Sequence, residues 1–169
     1  MGFAIAVVLI ISWLAFGWKV ASVGLVDETE PLFAEAARQM YETGDWITPY
    51  FNGVTRFDKP PLVYWLMALG FHLFGVSEWT VRLPSVLAAT GLTGLGFYTL
   101  RRFGRPPASQ NPFKAVWYAA IIGSAAIALN PETIVWARIG VSDMLLSACI
   151  GAALLSFFIA YAQPGSPQQ

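Results

Sequence analysis

Four long apolar stretches, about residues 3–23, 83–100, 115–129 and 144–162, leave this chain few ways to fold outside a lipid bilayer. A helix rises about 1.5 Å per residue, so roughly 20 apolar residues cross a hydrocarbon core about 30 Å thick. The third stretch is the shortest, and Asn130-Pro131 is expected to end it. Lys19 interrupts the first near its end, where a lysine can snorkel to the interface. That stretch lacks a positive lead-in and exceeds a usual signal-peptide core, so it reads as a retained anchor. Charged residues make up 12% of the chain, against about 25% in soluble domains. The expectation is an all-α, polytopic membrane protein with about four transmembrane helices.

Charge sets the orientation. Residues 101–114 carry Arg101, Arg102, Arg105 and Lys114 with no acid, which places this short loop in the cytoplasm. The long loop 24–82 carries Asp27, Glu28, Glu30, Glu35, Glu42, Asp45, Asp58 and Glu78 and is expected outside. Net charge is zero, so nothing favours a nucleic-acid partner. Cys149 is the one cysteine, which excludes an internal disulfide and a cysteine metal cluster.

Inside the outer loop, "PLFAEAARQMYETG" spaces Phe33, Ala36, Ala37, Met40 and Tyr41 by three and four, the pattern of an amphipathic helix that Pro31 opens and Gly44 closes. Turns follow at Pro49 and Asn52-Gly53. The uncharged run 60–77 is almost long enough to cross. Crossing would put the acidic and basic loops on one side, so a helix lying in the interface is the better reading. Residues 1–162 form one membrane part, and 163–169 a polar, proline-rich tail.

The stretch "TRFDKPPLVYW" sets three charges against apolar residues at the outer boundary, where a lipid headgroup would arrive. Arg56 and Lys59 are suited to a phosphate, and Asp58 to a divalent metal or a proton. Pro60 and Pro61 stiffen the backbone after the lysine. The plainer alternative is an ion cluster that anchors the loop. Asp27, just after the first span, and Asp143, opening the fourth, fall at the same depth, and acids at a membrane edge usually face a cavity or a partner. Helix capping would also account for Asp27, and capping or pairing with Arg138 for Asp143. His72, alone in an apolar run, reads as structural.

The ordered run "GDW-TP-FNG", "F-KPPL-YWL", "G--EW-VRLPS", followed by "ARIGVSDMLL", resembles the N-terminal part of bacterial GT-C-type membrane glycosyltransferases, the branch with aminoarabinose transferase and protein O-mannosyltransferase-like enzymes. The resemblance implies a polytopic plasma-membrane enzyme that takes a sugar from a polyprenyl-phosphate donor at the outer face and passes it to a lipid, protein or glycan acceptor. It implies Asp27 and Asp143 as catalytic acids, with Asp58 holding a divalent metal cation and Lys59 facing the donor phosphate. Arg56 and Arg138 join Lys59 as donor-binding cations. This chain departs from many members in having Glu30 and Pro31 where they carry an arginine and an aromatic residue, and Asp58 where they often carry Glu. Family members run to several hundred residues, so the expectation is an N-terminal portion of such an enzyme. A nucleotide-sugar donor is disfavoured, since there is neither a Gly-rich phosphate loop nor an Asp-X-Asp pair. A non-catalytic lipid-binding or assembly module and a transporter fragment are the alternatives.

Overall fold

The computed structural model describes residues 2–25, 29–104 and 111–162, apart from the side chains of residues 112 and 113. Helix α1 (Gly2–Ser12) is apolar all round and runs into a π-helical turn, Trp13–Gly17. A Cβ on Gly17 would meet the Trp13 ring at 2.7 Å, so only glycine lets that indole lie on the backbone. The chain then reverses at Lys19, with φ 51°. The first helix therefore stops short of the expected Val23. Its last carbonyls turn instead to Arg138, which donates from Nη1 to the Ala15 oxygen (3.2 Å) and from Nη2 to the Lys19 oxygen (3.4 Å).

Helix α2 (Glu30–Thr43) buries Phe33, Ala36, Ala37 and Met40 and turns Glu35, Arg38, Gln39 and Glu42 outward, as its pattern requires. Arg38 forks onto Glu35 at 2.8 Å. Gly44, at φ 75°, ends the helix in the left-handed conformation. Strands β1 (Tyr50–Phe51) and β2 (Val54–Thr55) pair antiparallel, Tyr50 with Thr55 and Phe51 with Val54. Asn52 and Gly53, at φ 49° and 77°, form the two-residue turn with two positive φ angles that suits the twist of a hairpin.

Helix α3 (Leu62–Phe74) starts behind Pro61 and ends at Gly75, φ 82°. Its 13 residues reach about 20 Å, too short to cross, in keeping with the interfacial reading. One face, with Val63, Tyr64, Met67, Ala68 and Phe71, packs on α2 to close an apolar cluster that includes Val81 and Val141. Helix α4 (Glu78–Phe103) is the spine, packing against α1, α3 and three later helices. Ser77 caps it by accepting from the Thr80 N–H. Helix α5 (Pro112–Ala128) leads into α6 (Pro131–Ala137) through a bend of 61°. Asn130 was expected to end the third span; it does so by capping a new helix, its Oδ1 accepting from Glu132 N–H (3.0 Å) and Thr133 N–H (3.4 Å). Helix α7 (Asp143–Tyr161) follows, with Met144 its one buried residue.

Among the described residues, α4 and α7 are long and apolar enough to cross a membrane, and the bent α5–α6 pair makes a third span if counted as one. The Gly2–Gly17 helix is apolar but shorter. The fold is all-α apart from the hairpin, as expected, with fewer full-length spans than the four apolar stretches imply.

Candidate functional site

The hairpin delivers the charges. Arg56 N–H donates to the Pro49 carbonyl at 2.8 Å and extends the ladder by one bond, so "RFDK" leaves the hairpin directly over α2 and α3. Arg56 forks onto Asp58, Nε to Oδ1 at 2.8 Å and Nη2 to Oδ2 at 3.0 Å. Its guanidinium also lies over the Phe33 ring at 5.3 Å. The hydrogen bonds from Arg56 hold the Asp58 carboxyl below the usual carboxylate range. Tyr64 is fully buried, its hydroxyl meets no hydrogen-bond partner among the described residues, and burial pushes its phenol up while the nearby Arg56 opposes the shift.

Lys59 is exposed. Together with Pro60, Leu62, Leu146, Cys149 and Asp143 it lines a cleft of about 270 Å³ between the start of α3 and the start of α7. Of the six expected site residues, this cleft brings Lys59 and Asp143 together. Ser142 makes no side-chain capping bond, and Arg138 is engaged with the carbonyls of the first helix. Neither capping nor pairing with Arg138 therefore occupies Asp143. Arg138 itself stands as a clasp on α1, and Arg56 as the partner of Asp58. Asp27 lies outside the described residues.

A metal at Asp58 was expected from the resemblance. Both oxygens of this carboxylate accept from Arg56, and the described residues contain no group of three His, Cys, Asp or Glu able to hold an ion. The described residues alone therefore make no cation site at Asp58, and Asp27 lies outside them.

A buried hub at the loop end of the helices was not legible in the sequence. Glu30 and Arg82, 1% and 5% exposed, form a buried forked ion pair, with Nε to Oε1 and Nη2 to Oε2 each 2.8 Å. The remaining donors of Arg82 go to the carbonyls of Val20 (2.6 Å), Val23 (2.7 Å) and Gly24 (2.8 Å). Glu30 Oε1 also accepts from the Gly140 N–H at 2.6 Å. One arginine thus grips the chain on both flanks of Asp27, at Gly24 and Glu30, and through Glu30 the turn that precedes Asp143. A Cβ at Gly140 would meet Val81 Cγ1 at 2.4 Å, so only glycine lets the turn approach. The available signal was an arginine and an acid each placed at a membrane boundary, where burial demands a partner.

The family model described as dolichyl-phosphate-mannose-protein mannosyltransferase matches residues 58–168. An undecaprenyl phosphate-alpha-4-amino-4-deoxy-L-arabinose arabinosyl transferase 2 of Pseudomonas fluorescens is 31% identical over 140 residues, covering 80% of this chain and 24% of that protein. An uncharacterized protein of Aquifex aeolicus is 43% identical over 94 residues, 55% of this chain and 22% of its own length. Among solved structures, ArnT from Cupriavidus metallidurans in the apo state superposes with a TM-score of 0.77 at 28% identity, covering 97% of this chain and 28% of that one. The same protein bound to undecaprenyl phosphate gives 0.70 at 26% identity, with 97% and 27% covered. The chain spans about a quarter of the length of the relatives it matches.

Proposed function

Since the chain belongs to the dolichyl-phosphate-mannose-protein mannosyltransferase family, we propose that it forms the donor face of a glycosyltransferase that moves a sugar from a polyprenyl-phosphate carrier to an acceptor hydroxyl or amine at the outer face of the plasma membrane. The observation that carries this reading is the cleft shared by Lys59 and Asp143. Its lining is mostly apolar and includes Lys59 and Asp143, whose carboxylate has no partner among the described residues, and it opens beside helices that belong in a bilayer. Such a cleft suits a molecule with a greasy tail and an anionic head.

In the reaction, the acceptor oxygen or nitrogen forms a bond to the anomeric carbon while the bond from that carbon to the phosphate oxygen breaks. The bonding pair goes to the phosphate, and Lys59 offsets the charge that accumulates there. The acceptor proton passes to a carboxylate, Asp143 or Asp27. Arg56 and Asp58 hold the segment that aims Lys59, and the Glu30–Arg82 pair holds the backbone on both sides of Asp27.

Cys149 lines the same cleft and is the one cysteine of the sequence, so it reports on occupancy. Undecaprenyl phosphate is expected to slow its alkylation in the purified protein several-fold, and a soluble phosphate at equal concentration to leave it unchanged. Alkylation at the same rate with and without the lipid would sink the donor reading.

Orientation is tested separately. Cysteines introduced as Thr43→Cys and Lys114→Cys, each in a Cys149→Ser background, should differ in intact cells: position 43 reacts with an impermeant maleimide, and position 114 reacts after the membrane is permeabilised. The reverse pattern would invert the topology.

A further inference from the structure

Asp143 lines a second cleft on its other side. This one, about 500 Å³, lies between α6 with its cap Asn130, the first turns of α7 and Leu92 of α4, and its polar lining is Asn130, Glu132, Thr133, Asp143 and Ser147, with Trp136 as its large aromatic. The two clefts share Asp143 and Leu146. The volume is within the range of about 300–1,000 Å³ typical of small-molecule pockets.

We propose that this second cleft is the subsite for the sugar carried by the donor. The inference rests on the donor reading above and deepens it. In a polyprenyl-phosphate sugar the phosphate is bonded directly to the anomeric carbon, so the sugar subsite has to adjoin the phosphate subsite. The cleft that adjoins the Lys59 cleft through Asp143 is this one. Its chemistry is that of sugar recognition: carboxylate and hydroxyl groups that exchange hydrogen bonds with ring hydroxyls, and an indole that offers an apolar face to the C–H side of a pyranose. The Asn130 Oδ1 is occupied by the N–H groups that it caps, which fixes the side chain and leaves its amide N–H groups to donate. Asp143, on the shared wall, then sits next to the anomeric carbon, where a proton acceptor for the incoming nucleophile is required.

The test separates the sugar from the phosphate. Glu132 and Ser147 are both exposed, so Glu132→Gln and Ser147→Ala leave packing intact. Binding to the purified full-length protein is measured for three ligands: undecaprenyl phosphate, undecaprenyl-phosphate mannose and undecaprenyl-phosphate 4-amino-4-deoxy-L-arabinose. The parent is expected to bind one of the sugar-bearing lipids more tightly than undecaprenyl phosphate. Each substitution should weaken that lipid by about three- to tenfold, the range for losing one hydrogen bond, and leave undecaprenyl phosphate unchanged. Lys59→Met should weaken all three. If Glu132→Gln and Ser147→Ala both leave the sugar-bearing lipids unaffected, or weaken all three ligands equally, the sugar subsite is not here. If the parent binds none of the three lipids, the donor reading falls and this subsite falls with it.

Discussion

Arg82→Met is expected to lower the stability of the folded protein by about 3–5 kcal/mol, the usual cost of leaving one member of a buried ion pair without its partner. The substitution strands the Glu30 carboxylate with the Gly140 N–H as its remaining partner and removes the donor from the carbonyls of Val20, Val23 and Gly24. Glu30→Met strands the guanidinium instead. The double variant, Glu30→Met with Arg82→Met, should cost clearly less than the sum of the two, because neither charge is then left buried alone. Thermal unfolding in detergent, run as a double-mutant cycle, measures this. Additive losses would mean that the two side chains do not act as a pair, and a loss below 1 kcal/mol for Arg82→Met would mean that this ion pair is not what holds the segments around Gly24, Glu30 and Gly140 together.

The second large effect is chemical. Lys59→Met keeps similar bulk but removes the positive charge that the proposal sets beside the leaving phosphate. Losing a group that stabilises charge in a transition state typically costs about 2.7–4 kcal/mol in the barrier, or about 10²–10³ in rate. Asp143→Asn removes a proton acceptor at constant size and should fall in the same range if Asp143 is the base. If Asp27 is the base, Asp27→Asn takes that loss and Asp143→Asn a smaller one. Sugar transfer from a polyprenyl-phosphate donor by the purified full-length protein is the assay, with unfolding temperatures as a control. Arg138→Met should slow transfer much less, because its guanidinium holds the end of the first helix and does not touch Asp143. Parental rates for both Lys59→Met and Asp143→Asn would return the charged boundary to the role of a plain anchor.

Local patterns were the legible part of this fold. The α2 helix follows from the three- and four-residue spacing between Phe33 and Met40, closed by a glycine at positive φ. The hairpin turn follows from Asn52-Gly53, a pair that accepts two positive φ angles in succession. The charged run before Pro60-Pro61 and the acid at the head of α7 were legible as boundary charges, because composition alone makes them expensive in a membrane. Long-range partners were not. Nothing local tells that Arg82 finds Glu30 across 52 positions, or that Arg138 reaches Ala15 across 123. The alternative in which Arg138 pairs with Asp143 rested on sequence proximity, and the guanidinium goes instead to the carbonyls of Ala15 and Lys19. Hydropathy also overstated the first span, since a window average does not register the reversal at Lys19.

In the proposed reaction the phosphate of a polyprenyl carrier lies in the cleft between Lys59 and Asp143. The most direct measurement compares the affinity of the purified full-length protein for undecaprenyl phosphate and for undecaprenol, which has the same tail and no charge. The expected result is a preference for the phosphate of about tenfold or more, from a charge-assisted contact worth about 1.5–3 kcal/mol, that Lys59→Met abolishes while the affinity for undecaprenol is unchanged. Equal affinity for the two lipids, or a phosphate preference that survives Lys59→Met intact, would contradict it.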